Sequence, residues 1–88
     1  MTTRYHWIAT GDHSTGLVNH LTSFHKFKKY RFEPMLSRGN IFVNYYNRDS
    51  ETHVWIVGEN EKELIEPWRI VKNYLMDVSD CVRENYTG

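Results

Sequence analysis

Residues 40–57, N-I-F-V-N-Y-Y-N-R-D-S-E-T-H-V-W-I-V, set two β-rich runs on either side of the polar run Asn47-Arg48-Asp49-Ser50-Glu51. β-Branched and aromatic side chains fit a pleated surface, whereas Asn, Asp and Ser hydrogen-bond their own backbone and favour turns. The stretch therefore predicts a β-hairpin. Side chains alternate across a strand, so Ile41, Val43 and Tyr45 share one face while Phe42, Asn44 and Tyr46 share the other. In the second strand Val54 and Ile56 alternate with His53, Trp55 and Val57. The aliphatic set has the chemistry of a core, since it buries without needing a polar partner. The set with Phe42, Tyr46 and Trp55 carries a hydroxyl and an indole N–H, which suits a half-covered surface or an interface.

The remaining chain supplies neighbours for that hairpin. Tyr5 to Thr10 reads as a first strand, with Tyr5, Trp7 and Ala9 alternating against His6, Ile8 and Thr10. Gly11 to Gly16, G-D-H-S-T-G, is helix-start chemistry in which Asp12, Ser14 or Thr15 accepts from the free amides of the first turn. Leu17, Leu21 and Phe24 at helical spacing, widened by Val18 and Phe27, predict a helix to about Lys29. Glu33-Pro34 opposes its continuation, and Arg31 to Leu36 is a candidate short edge strand. After Val57, Asn60 is placed to cap a helix with Glu63 reaching back to it, and Pro67 either kinks that helix or opens a fresh one. Trp68, Val71, Leu75, Val78 and Val82 then repeat at 3-4-3-4 spacing beside a row of Ile70, Tyr74 and Cys81. That seam predicts one long amphipathic helix covering the sheet.

The order β-α-(β)-β-β-α gives a single α+β domain over residues 1–88: a small two-layer sandwich of two helices and a three- or four-stranded, mostly antiparallel sheet. From Ser14 onward, helix, three strands, helix resembles the topology of double-stranded-RNA-binding domains. Those domains carry a lysine cluster at the start of the last helix, where this chain has Glu59, Glu61, Glu63 and Glu66. The resemblance stops at topology and assigns no family.

Several chemistries are excluded by spacing. The Gly11–Gly16 loop lacks the Lys and Ser/Thr that a nucleotide-binding P-loop needs after its second glycine, since Leu17 and Val18 stand there. Ser14 is one position too far from Gly11 for a nucleophile elbow. Asp12, His13 and Ser14 have the residue types of a triad, but triad members converge from separated positions. Of five histidines, His20 and His25 are five apart, about 140° around a helix, so no metal and no cofactor are expected. The lone Cys81 favours a reducing compartment. Met1 to Trp7 lacks the apolar run of a signal peptide and no stretch reaches membrane-spanning length, so a cytoplasmic protein is expected.

Two surfaces remain. The formal charge is zero, yet residues 1–48 hold seven Lys/Arg against two Asp/Glu, a net +5, and residues 49–88 hold four against nine, a net −5. In the basic segment 25–38, Lys26, Lys28, Lys29, Arg31 and Arg38 can neutralise phosphates while Phe27, Tyr30 or Phe32 stacks on bases. The other surface is the aromatic sheet face, read as Tyr5, Trp7, Phe42, Tyr46 and Trp55. The principal expectation is a non-enzymatic protein-binding module using that face, a small inhibitor or adaptor of phage or mobile-element type that blocks a larger protein. The alternative is a nucleic-acid-binding domain using the basic segment. Self-association is expected through the seam Trp68, Val71, Leu75, Val78 and Val82.

Overall fold

The computed structural model describes residues 2–31 and 34–87, the last three as backbone only, so Phe32 and Glu33 lie outside the described residues. The elements are β1 (Thr3–Thr10), α1 (Ser14–Phe24), β2 (Lys28–Lys29), β3 (Met35–Arg38), β4 (Ile41–Arg48), β5 (Glu51–Gly58), a 3-10 turn (Glu61–Leu64), α2 (Ile65–Val78) and β6 (Val82–Thr87). All strand pairs are antiparallel and form one six-stranded sheet in the order β2-β3-β4-β5-β1-β6. The α+β class and the two helices match the expectation; the strand number, three or four, does not.

The additional strands come from helices that stop early. α1 ends at Phe24, and Lys26 takes a positive φ of 64° at the place where a helix end usually has glycine. That left-handed residue swings Phe27 into the core at 2% exposure, its N–H donating to the Leu21 carbonyl at 3.2 Å. Lys28 and Lys29 consequently pair with Ser37 and Leu36 instead of prolonging the helix. α2 ends at Val78 because Ser79 is extended. Ser79 Oγ donates to the Thr10 carbonyl at 2.8 Å, and the chain returns as β6 with Val82 beside Ala9. The 3.5-residue seam therefore breaks between Val78 and Val82, where pairing along the free edge of β1 replaces another helical turn.

Both helices pack on one face of the sheet. Trp7 and Ala9 of β1, Val43 of β4 and Val54 and Ile56 of β5 meet Leu17 and Leu21 of α1 and Val71 and Leu75 of α2, all fully buried. Trp68 packs on Tyr5 and Trp7, its indole N–H donating to Glu84 Oε1 at 3.0 Å. Val71 and Leu75 are thus filled against the chain's own sheet, whereas Val78 of the same seam remains 39% exposed. Asn60 and Pro67 behave as their chemistry dictates. The Lys62 amide donates to Asn60 Oδ1 at 3.0 Å, and Pro67 lies in the first turn of α2. The α1 cap differs from expectation: His13 holds that position without a side-chain cap, and its backbone N–H donates to Thr52 Oγ1 at 2.7 Å.

Thr52 ties the β1–α1 loop to the hairpin. It is fully buried, and its Oγ1 donates to the Gly11 carbonyl at 2.6 Å and lies 3.0 Å from Asn47 Oδ1, whose amide nitrogen donates to Ser14 Oγ at 2.8 Å. Thr52→Val keeps the shape but orphans the part-buried His13 N–H and Gly11 carbonyl, so it should destabilise the fold by about 1–3 kcal/mol in urea unfolding. The hairpin turn makes the opposite prediction. Asp49 and Ser50 both have positive φ, 53° and 61°, the signature of a two-residue type I′ turn that favours glycine second. Ser50→Gly should stabilise the protein by roughly 0.5–1 kcal/mol in the same assay.

Candidate interaction surface

The sheet face opposite the helices can be read row by row from the register. One row runs Lys28, Ser37, Phe42, Val57, Arg4, and the next runs Met35, Asn44, Trp55, His6. The following rows are Tyr46, His53, Ile8, Arg83 and then Arg48, Glu51, Thr10. No described helix lies over them. Phe42, Trp55, His6 and His53 are half-buried, while Tyr46 and Tyr30 are 37% and 42% exposed.

Four rings form the centre of this face. His6 and Trp55 are direct cross-strand partners and stack at 4.1 Å between centroids, 6° from parallel. Tyr46 and His53 do the same at 4.7 Å and 4°. The pairs adjoin, with Tyr46 5.3 Å from Trp55 and His6 5.7 Å from His53. Tyr30 adds an edge-on contact to Phe42 at 5.7 Å. Stacking of this kind hides ring faces from water and leaves edges outward, which lets an uncovered sheet carry aromatic side chains.

Three of the five expected residues lie here: Phe42, Tyr46 and Trp55. Tyr5 and Trp7 do not. They point to the helix side, Trp7 fully buried and Tyr5 packed against the core, where they stack on each other at 6.2 Å. In β1 it is the alternate set, with His6, that faces outward. The signal was present in the sequence: Trp7 and Ala9 are the apolar set of that strand, and His6 and Thr10 the polar one. His6, Met35 and Arg4 were missed because only strand register places them on the face of Trp55, whereas alternation alone put His53 beside it.

The basic segment does not assemble into one patch. Lys28 and Lys29 project to opposite faces of the sheet by register. Arg38 lies over the Phe27 ring at 4.9 Å, donates to the His25 carbonyl at 3.0 Å and bonds Glu66 Oε1 at 2.8 Å. Lys26 serves as the left-handed residue after α1, and Arg31 is exposed beyond β2. Among the described residues the strands of the uncovered face contribute Arg4, Lys28, Arg48 and Arg83 against one carboxylate, Glu51, which Arg83 engages at 2.7 Å, while Arg48 lies 3.6 Å from the carboxylate of Asp49 in the hairpin turn.

The remaining polar candidates serve the fold. His13 Nε2 bonds the Thr10 carbonyl at 2.8 Å, and Ser14 Oγ accepts from Asn47, so the Asp12-His13-Ser14 loop is occupied structurally. His20 and His25 come together although their spacing on a continuous helix would separate them. Because α1 stops at Phe24, their Nε2 atoms meet at 3.2 Å, with His20 stacked on Tyr74. Burial, then the neighbouring His25, lowers the His20 pKa. Among the described residues no three His, Cys, Asp or Glu side chains converge to hold a metal ion, and no helix is long and apolar enough to cross a membrane. No family model, no curated protein and no solved structure matches the chain.

Burial, and then the charge of nearby His53, lowers the pKa of His6 below its ordinary 6.5. For a base shifted this way the unfolded chain takes up the proton first. Stability is complete above the ordinary value and erodes as pH falls towards the lowered folded one. The slope of unfolding free energy with pH should be positive as pH falls below the ordinary histidine value of 6.5, and His6→Gln should reduce it. An unchanged slope in that variant would assign the pH dependence to His20 alone.

Proposed function

We propose that the protein is a non-enzymatic protein-binding module, cytoplasmic, acting as a small inhibitor or adaptor through the uncovered sheet face centred on Trp55, Tyr46 and Phe42. The observation that carries this reading is the stacked array of Trp55, His6, Tyr46 and His53 on a face that no described helix covers. Aromatic anchors dominate binding energy in protein interfaces. The alternative, nucleic acid bound through residues 25–38, is less well supported. Base stacking needs open ring faces, and of the rings in that segment Phe27 is buried in the core. The cations of that segment are also divided between two faces and an ion pair with Glu66.

The test is affinity capture of the tagged protein from a native lysate, with and without nuclease. Trp55→Ala and Tyr46→Ala should each weaken capture of a nuclease-resistant protein by roughly 30-fold, about 2 kcal/mol, as central aromatic anchors do. Their far-UV circular dichroism should match the parent. A collapsed spectrum would make these rings part of the folding core, and loss of all co-purifying material with nuclease would favour the basic segment.

A further inference from the structure

Within the uncovered face lies a depression of about 740 Å³, and its chemistry is more specific than that of the face around it. Met35, Phe42, Trp55 and Val57 give an apolar lining, with Tyr30 at the rim. Two further lining groups, Arg4 and Asn44, have unmet polar capacity. The Asn44 Oδ1 atom is buried without a hydrogen-bond partner, a state that costs free energy until a donor reaches it. Arg4 is exposed, and among the described residues its side chain has no hydrogen bond or ion pair. The nearest carboxylate of the face by register, Glu51, is held by Arg83 at 2.7 Å, three rows away from Arg4. Among the described residues the lining is therefore apolar, with one unpaired cation and one orphaned acceptor.

Resting on the protein-binding reading above, we infer that this depression takes an acidic segment of the partner polypeptide, an apolar side chain followed directly by a carboxylate-bearing residue. The apolar side chain fills the space over Phe42 and Trp55, the Asn44 side chain turns to bring its buried Oδ1 to a backbone N–H of the segment, and the carboxylate pairs with Arg4. Spacing supports a short element. Asn44 and Arg4 stand two strands and two residues apart, about 12 Å between Cα positions, and the long arginine side chain spans roughly half of that. About two residues of extended chain cover the rest. The excess of cations on the face complements such a segment and disfavours a basic one. An indole or phenyl anchor fits best, since Tyr30 and Trp55 offer ring edges to it.

The closing experiment is a nuclear magnetic resonance titration of the labelled protein with N-acetyl-Trp-Glu-amide, N-acetyl-Trp-Gln-amide and N-acetyl-Ala-Glu-amide. The Trp-Glu peptide should shift the amides of Arg4, Asn44, Trp55 and Val57 in a saturable manner at millimolar concentration. The Trp-Gln peptide should bind roughly fivefold more weakly, as expected for one exposed ion pair. Arg4→Gln should erase the difference between the two, and the Ala-Glu peptide should not saturate. The inference is overturned by no localised shifts, by equal affinity for Trp-Glu and Trp-Gln, or by pocket shifts that follow protein concentration without peptide, which would make a second copy the occupant. The outcomes separate from those of the broader reading. Partner capture that depends on Trp55 while the peptides fail to bind leaves the interaction face standing and removes only the acidic segment.

Discussion

Two helices of 11 and 14 residues cover one face of a six-stranded sheet, and the chain has no further helix among its described residues for the other. That imbalance divides every long strand into two sets with different obligations. In β5, Thr52, Val54, Ile56 and Gly58 are buried, and the alternating Glu51, His53, Trp55 and Val57 are half-buried in the absence of any covering layer. A strand in contact with water on one side ordinarily alternates apolar with polar residues. Here the outward set keeps large rings, and what keeps them compatible with water is their mutual stacking, which removes ring faces from solvent without a second layer.

The sheet ends are handled differently from its centre. β2 is only two residues long and both are lysines, and β6 opens with Val82 followed by Arg83 and Glu84. Short, charged edges resist pairing with another chain, and β2 is such an edge. β6 also meets a need of β1: without it the outer edge of the strand bearing Trp7 would carry unpaired backbone groups beside the core. The Ser79 hydroxyl, bridging the end of α2 to Thr10, makes the reversal that delivers β6 to that edge.

How much of this was legible in the sequence follows the range of the interaction concerned. The hairpin, the Asn60 cap and the position of Pro67 depend on residues within a few positions of one another, and each is where local chemistry put it. β6 was hidden because Val78 and Val82 continue the helical period. Only competition from the free edge of β1, some seventy residues earlier, breaks it. Lys28 and Lys29 read as a helix end for the same reason, since their pairing with Ser37 and Leu36 lies across a turn. On the site, the alternation of β4 and β5 separated Phe42, Tyr46 and Trp55 from the core correctly. Trp7 was misplaced because a tryptophan's size suits an interface and a core equally; the small, apolar Ala9 two residues on marks its face as the buried one.

The zero formal charge conceals a division that the fold makes spatial. The uncovered face draws Arg4, Lys28 and Arg48 from the first half of the chain and Arg83 from the second, whereas Glu59, Glu61, Glu63 and Glu66 are exposed along the approach to and start of α2. The first group surrounds the aromatic array, and the second lies in the connection to the covering layer, joined to the sheet through Arg38. Such a dipolar arrangement orients an approaching charged partner before contact and raises its association rate in a salt-dependent way. It does little to hold the partner afterwards, because exposed pairs contribute little and are screened. Under the proposed function, retention would fall to the stacked rings and to whatever satisfies Asn44 Oδ1. Charge and aromatic content would therefore act, under the proposed protein-binding function, on different rate constants: the cations on arrival, and the Trp55–His6 and Tyr46–His53 stacks on departure.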